Sequence, residues 1–313
     1  PVYGRRCTCP GRVWNLMADP HHMPVLTAET MGYLGPESGG VFVDCTVGAG
    51  GHARALMESG ATQLLGLDRD PQALALAAEA LVAWRDQVQL LHADFRDLAS
   101  VLDDRGFATI DGAVADLGVS SMQLDDTGRG FSFRRDEPLD MRMDQSTGAT
   151  AADLIRNISE QDLADLIFKY GEERHSRRIA RAIVDTRRKT PVCTTGQLAA
   201  IVRRAMPKRG WQRIDPATRT FQAIRIWVNQ ELDGLERALE VICRRLRGGA
   251  RVVIITFHSL EDRIVKHTLR ALARGQEAIV RILTKHPLVA DPDERDRNPR
   301  ARSAKLRAAE RIA

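Results

Sequence analysis

Gly48-Ala49-Gly50-Gly51-His52 follows a short apolar, β-branched run, GVFVDCTVG (Gly40–Gly48), and opens a stretch that reads as a helix closing on Gly60. Glycines at such a place let the backbone approach a ligand without a Cβ in the way, and a helix N-terminus presents free N–H groups. Eighteen residues past Gly50 a second apolar run ends at Asp68. A carboxylate there is placed to accept hydrogen bonds from both hydroxyls of an adenosine ribose. A third run ends in Ala93-Asp94-Phe95, where an acidic or apolar residue would flank an adenine ring. A fourth ends in Asp116-Leu117-Gly118-Val119-Ser120-Ser121, which sets a carboxylate and hydroxyls where a group acceptor would sit. Gly48-x-Gly50-x-x-Ala53 with an acid about 20 residues on also satisfies the dinucleotide pattern, so a nicotinamide dehydrogenase stays open on this loop alone. Use of all four run ends favours S-adenosylmethionine, and no His or Tyr stands out as the acid that hydride transfer requires.

These residues need a scaffold that brings four run ends together. The chain supplies it as alternation: strands at Gly40–Gly48, Gln63–Asp70, Val88–Phe95 and Ile110–Ser121, with helices at Gly51–Gly60, from Pro71 onward and roughly over Arg96–Arg105. That order implies right-handed crossovers and a parallel sheet with helices on both faces, whose ligands bind at the carboxyl ends of the strands. The alternation stops over 124–224, where helical stretches follow one another without a convincing strand. One of these, TTGQLAAIVRRAM, opens on a threonine cap. A long helix is expected over Ile226–Leu246, then a fifth strand (Gly248–Ser259), a helix over EDRIVKHTLRALAR and a final strand, AIVRILTK. The expected organisation is a core of 22–123 and 225–313, a helical insertion of 124–224, and a disordered extension of 1–21.

Composition bounds the class. Of 313 residues, 43% are hydrophobic and 28% charged, as in a soluble globular protein. No apolar run reaches the roughly 18 residues of a membrane span, and no secretory h-region follows Arg5-Arg6, so the cytoplasm is expected. Five scattered cysteines suggest reduced thiols, and no metal site is expected. The net charge of +5 understates its distribution. Arg174–Arg225 holds 14 basic and two acidic residues, whereas Leu124–Glu173 holds six basic and twelve acidic ones. Arg177, Arg178 and Arg181 share a helical face by spacing, and Arg187-Arg188-Lys189, Lys208-Arg209 and Trp211 add charge and an aromatic. Such a face inside an insertion suits phosphate contact with RNA.

Longer strings carry a resemblance. VDCTVGAGGH (Val43–His52), LDRDPQA (Leu67–Ala73), DLGVSSMQLDD (Asp116–Asp126), RGFSFRRDEPLDMRMD (Arg129–Asp144), YGEER (Tyr170–Arg174), PATRTFQAIRIWVNQEL (Pro216–Leu232), FHSLEDRIVK (Phe257–Lys266) and NPRARSAKLRAAER (Asn298–Arg311) resemble the 16S ribosomal RNA (cytosine-N4)-methyltransferase family, as does HMPVL (His22–Leu26). The resemblance runs from His22 to the C-terminus. It implies a class I, Rossmann-like α/β methyltransferase with a parallel-rich sheet and an inserted helical domain. It further implies a cytoplasmic enzyme that uses S-adenosylmethionine on a cytidine of 16S ribosomal RNA at the decoding centre, in the 30S subunit. Carried onto this sequence, its cofactor contacts fall on Gly50, Gly51, His52, Asp68, Phe95, Asp116 and Gln123. The oligomeric state does not follow from it.

A cytosine amine is a poor nucleophile because its lone pair is delocalised into the ring. It must be held in line with the methyl group at about 3–3.5 Å, with acceptors on its N–H groups. Asp116 is the first candidate catalytic acceptor. The Asp/Asn-Pro-Pro-aromatic string of many amino-methyltransferases is replaced here by Asp116-Leu117-Gly118-Val119, so the stacking platform for a flipped base lies elsewhere. Phe131, Phe133 and Phe257 are its candidates, with His258 and Ser259 at the same sheet edge. An amino-methyltransferase acting on DNA or a small molecule, and a non-catalytic RNA-binding assembly factor, are the rival functions.

Overall fold

The computed structural model describes residues 24–207 and 214–312. The extension 1–21, together with Lys208, Arg209 and Trp211, lies outside the described residues. In chain order the first half runs α1 (Thr27–Leu34), β1 (Val41–Asp44), α2 (Gly51–Glu58), β2 (Gln63–Asp68), α3 (Pro71–Ala80), β3 (Val88–His92), α4 (Leu98–Asp104) and β4 (Ile110–Asp116). Six helices follow: α5 (Ser121–Asp125), α6 (Ala151–Asn157), α7 (Glu160–Gly171), α8 (Ser176–Arg187), α9 (Thr195–Ala205) and α10 (Ala217–Asn229). The chain then returns to the sheet through α11 (Leu235–Arg245), β5 (Leu246–Thr256), α12 (Ser259–Leu272), β6 (Val280–Ile282), α13 (Pro292–Arg297) and β7 (Lys305–Arg311).

The seven strands form one sheet in the order β3-β2-β1-β4-β5-β7-β6. β1 to β5 pair in parallel, and β7 inserts antiparallel between β5 and β6. This is a Rossmann-like, parallel-rich α/β arrangement, with a helical unit between β4 and β5. One face packs on α1, α2 and α3 through Leu34, Leu56 and Ala77; the other packs on α4, α11 and α12 through Leu102, Leu239 and Val265. The helices between β4 and β5 bury a core of their own, with Leu163, Ile167, Ile183, Leu198 and Ile224 at its centre.

Two expectations need correction. Ile226–Leu246 is not one helix. Gln230 turns left-handed at φ 50°, Gly234 follows at φ 73°, and α10 and α11 are separate. The carbonyls freed by the break are taken by arginines from the sheet: Arg69 donates to Asn229 O at 2.8 Å, and Arg96 to Asp233 O at 3.1 Å. AIVRILTK is not the last strand either. Only Val280–Ile282 pairs, and Lys305–Arg311, made of good helix formers, is the extended partner of β5. Its strand state is set by the open edge it covers, an instance of tertiary context overriding propensity.

The helical unit is fastened to the sheet by a buried ion pair. Arg129, 3% exposed, donates to Asp70 Oδ2 at 2.6 Å, to Gln72 Oε1 at 2.9 Å and to Met143 O at 2.8 Å. Asp70 caps α3 through Gln72 N and also receives the Gln123 amide at 2.9 Å. Removing one partner of such a pair strands a desolvated charge. Arg129→Leu is therefore expected to lower unfolding stability by about 3–5 kcal/mol in denaturant titrations, whereas an unchanged midpoint would show the pair to be incidental.

Candidate functional site

The carboxyl ends of β1, β2, β3 and β4 open into one cleft of about 380 Å³. Its floor is the turn after β1. Gly48 (φ 52°) and Gly50 (φ 87°) are both left-handed, a conformation nearly free for glycine and costly for other residues. Gly50 sets the start of α2 and packs on α3, where an added Cβ would stand 3.4 Å from Ala77 and Ala80. Gly48, Ala49, Gly51 and His52 line the cleft itself. At the end of β2, Asp68 accepts from Gly48 N at 2.8 Å and from Asp70 N at 2.9 Å, so the loop and the acid form one rigid edge. Phe95 lines the wall beyond it. Gln123 lines it too, although its amide is engaged at both ends, by Ser120 N and by Asp70.

Deeper in, polar atoms are buried without partners. Both ring nitrogens of His52, Asp116 Oδ1 and Asp44 Oδ2 make no hydrogen bond. His52 Nε2 stands 3.8 Å from Asp116 Oδ2. Burial pushes the His52 ring down to about 4, so it is neutral near pH 7. Burial also pushes Asp44 up to about 7. Asp116 is raised well above the carboxylate range, first by burial and then by repulsion from Asp44 and Glu261. All three causes favour the protonated form of its carboxyl.

Glu261, at the head of α12, is the opposite case. Burial works to raise it, but the His258 ring, the Arg225 guanidinium and the Phe257 N–H outweigh that cost and hold it ionised. His258 caps α12 by accepting from Glu261 N at 3.3 Å. Glu231 is clamped by Arg225 through contacts of 2.8 and 2.7 Å. Glu231, His258 and Glu261 bring their ligand-type atoms within 4.8 Å of one another, yet both carboxylates already answer to Arg225 and backbone N–H groups.

Among the substrate candidates, Phe257 and His258 line the cleft. Phe131 and Phe133 do not. Phe131 is 7% exposed in the core of the helical unit, and Phe133 packs edge-on against Phe221 at 4.7 Å, under the Arg203 guanidinium. Neither ring stands at the cleft, so neither is placed to stack on a base held there. Ser259 is likewise engaged, donating to Glu172 Oε2 at 2.6 Å. Arg177, Arg178 and Arg181 are exposed on α8, with Arg181 3.3 Å from Glu160. Arg187 is withdrawn from any ligand, because it donates to the carbonyls of Ile155 and Ile158 and so closes α6. Sequence reasoning missed Asp44, Thr46, Gln222, Arg225, Gln230 and Glu231, all at or beside the cleft. Gln222 and Arg225 lie on α10, and Gln230 and Glu231 follow from the helix break, whose signal was Asp233-Gly234.

The fit to S-adenosylmethionine is physical. The glycine turn would admit a backbone-close ligand, Asp68 would offer acceptors to ribose hydroxyls and Phe95 an apolar wall, and Asp116, whose Oδ1 has no partner in the protein, lines the same space. Asp68→Asn keeps the shape and removes the charge. It is expected to weaken S-adenosylmethionine binding roughly 10- to 100-fold by calorimetric titration, and parental affinity would remove Asp68 from the donor site.

Residues 19–312 match the MraW methylase family. The ribosomal RNA small subunit methyltransferase H of Geotalea uraniireducens is 48% identical over 312 residues, which cover 95% of this chain and 100% of that protein. Its counterpart from Nitratidesulfovibrio vulgaris (strain DP4) is 50% identical over 308 residues, covering 93% and 95%. An rRNA methylase from Streptococcus thermophilus, solved by crystallography, covers 92% of this chain at 11% identity with a TM-score of 0.41. The chain belongs to the MraW methylase family, and it is a methyltransferase whose methyl donor is S-adenosylmethionine.

Proposed function

We propose that this methyltransferase modifies the exocyclic N4 amine of a cytidine in 16S ribosomal RNA, at the decoding centre of the small subunit, as a cytoplasmic enzyme acting on the 30S particle. Relatives at 48–50% identity bear the name of a small-subunit ribosomal RNA methyltransferase, which supports the RNA class. The observation that carries the reading to an amine is Asp116: a buried carboxyl at the end of β4 whose Oδ1 has no partner in the protein. An amine that must lose a proton supplies the missing donor.

Bound S-adenosylmethionine supplies an electrophilic methyl group next to a sulfonium charge. Asp116 accepts one N–H of the cytosine amine and draws its lone pair out of the ring. With S-adenosylmethionine in place, its sulfonium charge would favour the ionised form of Asp116, and that carboxylate would take the proton that N4 gives up on methylation. His52, neutral and 3.8 Å away, sets no cation against that carboxyl. Phe257 offers the base a face that Gly118 leaves uncovered: a Cβ at Gly118 would stand 3.6 Å from the ring. The exposed Arg177, Arg178 and Arg181 on α8 supply phosphate contacts.

The test is transfer of labelled methyl to 30S subunits lacking the modification, followed by nucleoside mass spectrometry. N4-methylcytidine is the expected product, and Asp116→Asn is expected to slow single-turnover transfer about 10²–10⁴-fold. Label on another nucleoside would refute the base. Absence of transfer despite tight donor and RNA binding would favour the assembly-factor reading.

A further inference from the structure

A second cavity of about 310 Å³ lies away from the cleft and shares no residue with it. Lys266 and Arg270 of α12, Lys285 after β6 and Arg307 of β7 are its cations, over Leu269 and Ile282. Asp262 is the acid that meets this group, and it is taken: Arg307 donates to it at 2.7 Å, and Lys305 stands 3.7 Å from it. Among the described residues, Lys266, Arg270 and Lys285 form no ion pair. Arg307 is 6% exposed, so one guanidinium is fixed in the wall rather than waving in solvent.

Like charges gathered in this way repel one another. Lys266 and Arg270 stand four residues apart on one helix face, a like-charge spacing that destabilises a helix. A third cation from another element, Lys285, converges on the same space. A polyanion offsets all of these costs at once.

The helix also gives the direction. α12 begins at Ser259, beside His258 in the cleft, and a rise of 1.5 Å per residue carries Lys266 and Arg270 about 10 and 16 Å along its axis. A strand whose target base sits in the cleft therefore runs over the cavity if it follows α12.

We propose that this cavity is a phosphate-docking groove for the RNA backbone flanking the target nucleotide, separate from the arginines of α8. The proposal rests on the RNA reading above. It positions RNA and takes no part in methyl transfer.

The test uses full-length protein and 30S subunits lacking the modification. A Lys266→Gln/Arg270→Gln/Lys285→Gln variant is compared with its parent in binding across a series of KCl concentrations, and in turnover. Near-physiological salt should show affinity for subunits reduced roughly 10- to 100-fold, with the log–log salt slope shallower by about 2–3. The KM for subunits should rise in step, while kcat at saturating subunits and S-adenosylmethionine affinity stay at parental values, which also certifies folding. Lys266→Arg/Lys285→Arg, which keeps the charge, should bind like the parent. Parental affinity and slope in the triple glutamine variant would overturn the groove while leaving the RNA reading intact. A parent chain that neither binds nor methylates subunits would overturn both.

Discussion

The carboxyl group of Asp116 sits where a parallel sheet ends, out of water, beside two other acids, with one oxygen bonded to nothing. In a stable fold such an arrangement is paid for elsewhere. Here the cost is met by the rigidity around it: the Asp116 N–H donates to Thr46 at 2.7 Å, Asp44 accepts from Thr46 N, and β4 lies between β1 and β5 with no freedom to withdraw. The same desolvation that makes the carboxyl expensive makes it useful, since charges met in a dry site interact far more strongly than in water. Asp116 and Glu261 divide the work by environment. Arg225, His258 and a backbone N–H hold Glu261 ionised, whereas Asp116 has neighbours that only oppose its charge.

The helical unit completes this site rather than merely decorating the sheet. Arg129 reaches from it into Asp70, two residues past Asp68 in the cleft wall. Asn229, at the end of α10, receives Met143 N and donates to Met141 O, and the chain then breaks into the turn that sets Gln230 and Glu231 against the cleft. Glu172 in turn binds Ser259 and Arg263 at the head of α12. The unit thus reaches the core at β2, at the helix break and at α12, and each contact lies within a few residues of a cleft side chain.

How much of this was legible beforehand depended on how local each signal was. The five parallel strands and the glycine turn were readable because buried parallel strands are continuous apolar runs and a left-handed turn asks for glycine where it stands. The fates of individual aromatics and arginines were not. Phe133 against Phe221 and Arg187 against the carbonyls of Ile155 and Ile158 are pairings across tens of residues, and a charge or ring reads the same in sequence whether it faces a ligand or closes a helix. β7 was illegible for a related reason: KLRAAER has a helical composition, and only the open edge of β5 makes it a strand. The break at Gln230 had a local cue in Gly234, overridden by the strong helical pattern on either side.

Asp116, disfavoured as a carboxylate by burial and by its acidic neighbours, should ionise when positive charge arrives. Calorimetric titration in buffers of different ionisation enthalpy measures it directly as protons exchanged on binding. A cation beside a carboxyl lowers its pKa, so near neutral pH Asp116 should release up to one proton as S-adenosylmethionine binds. The demethylated product, S-adenosylhomocysteine, lacks the sulfonium charge and should release much less, and Asp116→Asn should abolish the difference between the two. Equal proton release with both ligands, or a difference that survives in Asp116→Asn, would contradict the account.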